Sequence, residues 1–166
     1  MPTRLKVVLG VIGVLGVVAV AVGVVGREAT LAMIFGPADH VAIDFATLAL
    51  DGRPNQHLVC PEGFCAAAPH AASPVFEIPA TALRDRWMAM IARQPRVIGT
   101  RTDAAALHYD FVQRSLVFRF PDAITVRFIA LDAGRATLAI YSRSYYGRDD
   151  FGVNRRRVEA WLAALE

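Results

Sequence analysis

Apolar and polar positions divide this chain into an unbroken apolar run, a mixed connecting piece and a patterned remainder. From Val7 to Gly26 there are 20 residues without a charge, almost all Val, Gly, Ile, Leu and Ala. At about 1.5 Å per helical residue the run spans roughly 30 Å, the thickness of a bilayer's hydrocarbon core. It predicts a single transmembrane helix within residues 1–26. Arg4 and Lys6 stand before the run, and positive charge at that end predicts a cytoplasmic N-terminus with the remainder exported. Two other readings compete: a cleaved signal peptide ending at Ala19-Val20-Ala21, and a buried helix of a soluble protein. Val22 to Val25 stay apolar where a signal peptide turns polar, and core helices seldom run so long without a charged face.

Residues 27–54 read as a juxtamembrane linker. Its first part carries Leu31, Met33, Ile34 and Phe35 and is stopped by Gly36-Pro37. Val41, Ile43 and Phe45 then alternate with Ala42, Asp44 and Ala46, a short extended segment before the turn-rich Asp51-Gly52-Arg53-Pro54-Asn55. Residues 55–166 form the extracytoplasmic domain. A short strand is predicted at Val75–Ile78, then a helix at about Ala80–Arg93 with Leu83, Trp87, Met90 and Ile91 at helical spacing and Gln94-Pro95 as its stop. Strands are expected at Arg96–Thr100, Leu107–Phe118, Ile124–Leu131 and Ala136–Ser144, with turns at Thr102-Asp103, Pro121-Asp122 and Asp132-Ala133-Gly134. A last helix, about Phe151–Leu165, places Phe151, Asn154, Val158, Trp161, Leu162 and Leu165 on one stripe. The order predicts an α+β domain: an antiparallel sheet of about four to five strands covered by two helices, behind an N-terminal single transmembrane helix.

Composition changes this picture little. The net charge of +3 comes from 17 Arg and one Lys against 15 acids, too small and too spread for a nucleic-acid binder. The expected partners are the membrane lipid bilayer and a membrane protein or anionic lipid, with no nucleic acid. Cys60 and Cys65 flank a Pro/Gly turn in a compartment that permits oxidation, which predicts a local disulfide. The flanking His57 and His70 offer a four-ligand alternative, but His-x2-Cys-x4-Cys-x4-His matches no standard zinc spacing. No metal and no cofactor is expected. His40 and His108 stand alone and read as surface or packing residues.

Candidate chemistry gathers near the C-terminal end. Arg114 shares its strand face with Val112, Leu116 and Phe118, so its guanidinium needs a carboxylate, several carbonyls or an anionic ligand. Asp149 and Asp150 are the nearest candidates, with Asn154 completing a network. The run Ser142-Arg143-Ser144-Tyr145-Tyr146-Gly147-Arg148-Asp149-Asp150-Phe151-Gly152-Val153-Asn154 joins the last strand to the last helix. With Phe111-Val112-Gln113-Arg114-Ser115 and Phe120-Pro121-Asp122, it resembles the bacterial and plastid family called domain of unknown function 1499. The resemblance covers roughly Asn55 to the end. Matching positions are Arg114, Ser115, Phe120, Pro121, Asp122, Val126, Arg127, Ser142, Ser144, Tyr146, Gly147, Asp150, Gly152, Asn154 and Arg157. Tyr145 departs, standing where an arginine is common in the family. The resemblance implies a fold but no reaction.

Two readings of the constellation stay open. In one, Arg114, Arg127, Arg143 and Arg148 converge with the helix N-terminus to hold an anion. In the other, they and Asp149, Asp150 and Asn154 form an internal network in which an Asp caps the last helix. Arg155-Arg156-Arg157 reads as a solvated helix face. Enzyme signals are poor: no Gly-x-Ser-x-Gly elbow, phosphate loop or dinucleotide fingerprint occurs. The first functional reading is a non-enzymatic domain on the periplasmic face of a bacterial inner membrane that binds an envelope partner. Its rivals are an enzyme using Asp149, Asp150 and Asn154, and an accessory subunit whose Gly10, Gly13, Gly16, Gly23 and Gly26 pack against a larger complex.

Overall fold

Residues 3–36, 38 and 42–165 are described by a computed structural model. The expectations placed on Pro37, His40 and Val41 lie outside the described residues. Helix α1 (Thr3–Val25) carries the apolar run and is exposed along nearly its whole length. Its length and composition suit a membrane anchor or a signal sequence. Gly26, at φ 89°, breaks the helix with a backbone conformation open to glycine, and α2 (Arg27–Phe35) follows at once.

The rest is α+β. Strands β1 (Gln56–Cys60), β2 (Ala71–Ala72), β3 (Val97–Asp103), β4 (His108–Arg114), β5 (Pro121–Ala130) and β6 (Ala136–Ser144) form one six-stranded sheet in the order β2-β1-β6-β5-β4-β3. The meander from β3 to β6 is antiparallel throughout, as the alternation predicts. The sheet as a whole is mixed, because β2 runs parallel to β1, and it has more strands than expected. Strand β1 carries no alternation to read. It pairs with β6 inside the sheet and is buried at all five positions, so both faces are covered.

Helices α3 (Ala80–Ile91) and α4 (Val153–Ala163) lie on one face. They bury Leu83, Trp87, Met90, Val158 and Trp161 against Tyr109, Phe111, Ile124, Val126, Phe128, Leu138 and Ile140. Trp87 meets Trp161 edge-on at 5.6 Å and Phe128 at 6.0 Å, which locks the helices to each other and to the sheet. The opposite face is covered by loops, not helices. Phe45, with Ile43, Leu48, Leu50 and Phe64, packs there on Leu58, Ala139 and Tyr141. Phe45 is buried in a turn, not an extended segment.

Three further differences have simple causes. Val75–Ile78 supplies only an isolated bridge, Phe76 to Ala136, since Pro74 and Pro79 bracket it. Pro121-Asp122 opens β5 and is not a turn; a proline is tolerated as first strand residue, and the reversal comes earlier, where Ser115 and Phe120 bond each other. Phe151 leaves the buried stripe because it and Gly152 are both left-handed (φ 53° and 75°), so the helical phase starts only at Val153.

Candidate functional site

The alternation of β6 sends Leu138, Ile140, Ser142 and Ser144 to the helical face, so the sheet's apolar surface turns polar at its end. Above that end starts α4, whose spacing of three and four places Asn154, Arg157 and Val158 on one stripe. The two polar ends meet in a closed network. Arg157 donates to Asp122 (2.5 Å), Gln113 (2.5 Å), Asn154 Oδ1 (2.6 Å) and Ser142 Oγ (3.0 Å). Ser142 donates to Asn154 Oδ1 and Ser144 to Asp122 Oδ1, each at 2.6 Å. The Asn154 amide group donates to Asp150 (2.7 Å), Ser144 Oγ (3.0 Å) and the Asn55 carbonyl (3.1 Å). Asn55 closes the junction loop by donating to the Gly147 carbonyl at 2.8 Å.

Asp150 caps α4. Its two oxygens accept the amides of Gly152 (2.9 Å) and Asn154 (2.7 Å), a carboxylate placed where the helix dipole favours it. Asp149 accepts the Phe151 amide at 2.7 Å and is exposed. The Arg157 and Asp122 side chains are 7% and 11% exposed, so the pair is almost fully out of water.

Beside this network opens a cleft of about 440 Å³. Asp122, Ser144 and Asp150 belong to both. Its walls are aromatic: Phe35 from α2, Phe118 and Phe120 from the β4–β5 connection, Tyr146 and Phe151 from the junction. Phe35 lies 5.3 Å from Tyr146 and 6.2 Å from Phe120, and the Tyr146 hydroxyl donates to the Gly36 carbonyl at 2.7 Å. These contacts fasten α2 to the domain. Phe151 is 85% exposed and left-handed, a placement costing on the order of 1 kcal/mol in backbone strain while leaving a large ring in water. Among the described residues three carboxylates and no cation line the cleft, one of them, Asp122, paired with Arg157 behind it.

Of the residues singled out from the sequence, Asp150 and Asn154 meet in this network, with Asp149 at its edge. The four arginines do not converge. On β4, Tyr109 and Phe111 face the helices, so Gln113 follows them and Arg114 lies on the opposite face. The same alternation against Ile124, Val126 and Phe128 turns Arg127 away, and against Leu138 and Ile140 it turns Arg143 away. Arg114 meets Glu28 of α2 at 3.1 Å in place of Asp149 or Asp150, and Arg119 meets the same carboxylate at 2.8 Å. Arg127 lies over the Phe64 ring at 5.5 Å, Arg143 over the Tyr145 ring at 5.4 Å, and Arg148 is exposed. Arg157 corrects the reading of its triplet: Arg155 and Arg156 are solvated, but Arg157 is interior. Its signal was available, three positions after Asn154.

Cys60 and Cys65 are joined in a disulfide, which fits an oxidising compartment. With both sulfurs engaged, the set with His57 and His70 has no thiolate to offer a metal. His57 and His70 stack at 5.1 Å, and the Leu58 amide donates to His70 Nδ1 at 2.9 Å. Burial, helped by His70, holds His57 below its ordinary pKa. Burial does the same to His108, outweighing the attraction of Asp110. His57 stands opposite Ser142 in the β1–β6 register and feels the charge of Asp150, so of the two it is the imidazole beside the network, with its Nε2 buried and without a hydrogen bond among the described residues.

No curated protein and no solved structure matches the chain. A family model does, over residues 54–165, from the first residues before β1 to the end of α4, and it therefore covers the sheet, both helices and the network. Its description is "Protein of unknown function (DUF1499)", and the chain belongs to that family.

Proposed function

We propose that this chain is a non-enzymatic binding domain, anchored by α1 with its N-terminus in the cytoplasm and its domain on the periplasmic face of the inner membrane. Its ligand is an apolar envelope molecule with a hydrogen-bond-donating or cationic end. The observation that carries the reading is the cleft, of a size that suits small-molecule binding, walled by five aromatic rings and floored by acceptors. Of the lining carboxylates Asp122 and Asp150 are already engaged, and the exposed Asp149 disfavours phosphate and favours an amine or a hydroxyl. Phe151, held exposed at a strained backbone position, gives the cleft a ring that a ligand would cover. An enzyme reading loses support from the same geometry. Asp150 is spent on capping α4 and Asn154 is saturated by its neighbours, so neither offers a free group to act as a base.

Photoaffinity labelling of the full chain in native membranes tests the reading. Matched diazirine probes with a twelve-carbon chain are used, one ending in an amine and one in phosphate. The amine probe is expected to mark peptides carrying Phe118–Phe120 and Tyr146–Phe151. Preferential marking by the phosphate probe, or marking around Arg127 and Arg143, would overturn it.

A further inference from the structure

The connection between β4 and β5 ends in an apolar tip, Leu116, Val117 and Phe118, exposed by 70%, 62% and 64%. The tip does not project into open solvent at random. Arg27, two residues beyond the end of α1, donates to the Val117 carbonyl at 2.9 Å. If α1 crosses the bilayer, Arg27 sits in the headgroup layer, which is only about 5–8 Å thick on each side, and Val117 must sit there with it. Helix α2 leaves Met33 and Ile34 exposed in the same neighbourhood. The surrounding charge suits the same surface: Arg114 and Arg119 share the carboxylate of Glu28, and Arg27 adds a third guanidinium at the Val117 carbonyl. Basic groups beside exposed apolar side chains at a span's end are what an anionic leaflet attracts.

The geometry points to a second membrane contact, at the rim of the cleft: the Leu116–Phe118 tip inserts into the outer leaflet of the bilayer that α1 spans. This inference rests on the anchoring reading of α1. Insertion fixes the domain's tilt, because two points are then held at the surface, and it turns the cleft, which includes Phe118, toward the lipid. A ligand enters from the leaflet and not from the periplasm.

The test uses the full chain reconstituted in vesicles of phosphatidylcholine and phosphatidylglycerol, with or without brominated acyl chains. Trp87 and Trp161 are buried in the core and give a constant background. Leu116→Trp adds a reporter at the tip, and Val14→Trp adds one at mid-span. Brominated lipid is expected to quench the added emission of both variants at least about twofold, since both lie within the lipid's depth. Quenching of Val14→Trp without Leu116→Trp overturns the inference and leaves the anchor standing. Quenching of neither removes the anchor, and the inference with it.

Discussion

Arg157→Met removes the one cation of the network without creating a large void, because methionine replaces most of the aliphatic stem. Four hydrogen bonds are lost at once, and Asp122 keeps only the Ser144 hydroxyl. Since the Asp122 side chain is 11% exposed at the edge of the cleft, water replaces the guanidinium only in part. Breaking a buried pair from one side costs about 3–5 kcal/mol, and the residual Ser144 donor places this case near the lower end, about 3 kcal/mol. A domain of this size has about 5–15 kcal/mol in all, so its thermal midpoint should fall by at least about 10 °C. Near-ultraviolet circular dichroism of the full chain in detergent reads the loss, with Trp87 and Trp161 as core reporters. The double variant Asp122→Leu with Arg157→Met leaves no buried charge of the pair and should be more stable than Arg157→Met alone. A midpoint within about 2 °C of wild type for Arg157→Met, or strictly additive losses in the double variant, would refute the reasoning.

Other consequences are open to simpler assays. Replacing Cys60 and Cys65 together by serine should cost about 2 kcal/mol by urea unfolding, because the loop they close is short. His57 and His108 have native pKa values held below the ordinary 6.5, so below that pH the unfolded chain binds more protons than the native one. Stability should therefore be flat from about pH 8 to 7 and fall as pH drops below about 6.5 through the lowered native values, before the carboxylates titrate. His108→Gln should flatten that fall; an unchanged slope would sink the assignment. Tyr146→Phe, which loses the bond to the Gly36 carbonyl, should cost about 1 kcal/mol and speed proteolysis between α2 and β1.

Elements with one covered face or a clear stripe were legible from the residues alone. The β3–β6 meander shows period two, and α3 shows Leu83, Trp87, Met90 and Ile91 at helical spacing. Strand β1 was not legible because covering both faces erases alternation. The candidate site was half legible. Asp150 as a cap and Asn154 on a buried stripe follow from local rules, whereas Arg157 was hidden among three arginines of which two are solvated. Glu28 as the partner of Arg114 had no local signal. It depends on α2 folding back over a connection 86 residues away in the chain, which Tyr146, Phe35 and Phe120 hold in place. The expectation that the arginines converge failed through the period-two geometry of the strands: three of them lie on the face opposite α4.

A network that holds the fold adjoins a cleft proposed to hold a ligand, and the two share Asp122, Ser144 and Asp150. Native mass spectrometry of the full chain, released from membrane extracts, tests the proposed cleft most directly. Wild-type protein is expected to carry a bound amphiphile. Phe118→Ala with Phe151→Ala, both at exposed positions, should lose it while remaining folded, and Ser142→Ala, in the network but outside the cleft lining, should keep it. An adduct that survives the loss of both rings, or one that disappears with Ser142→Ala, would contradict the proposed cleft.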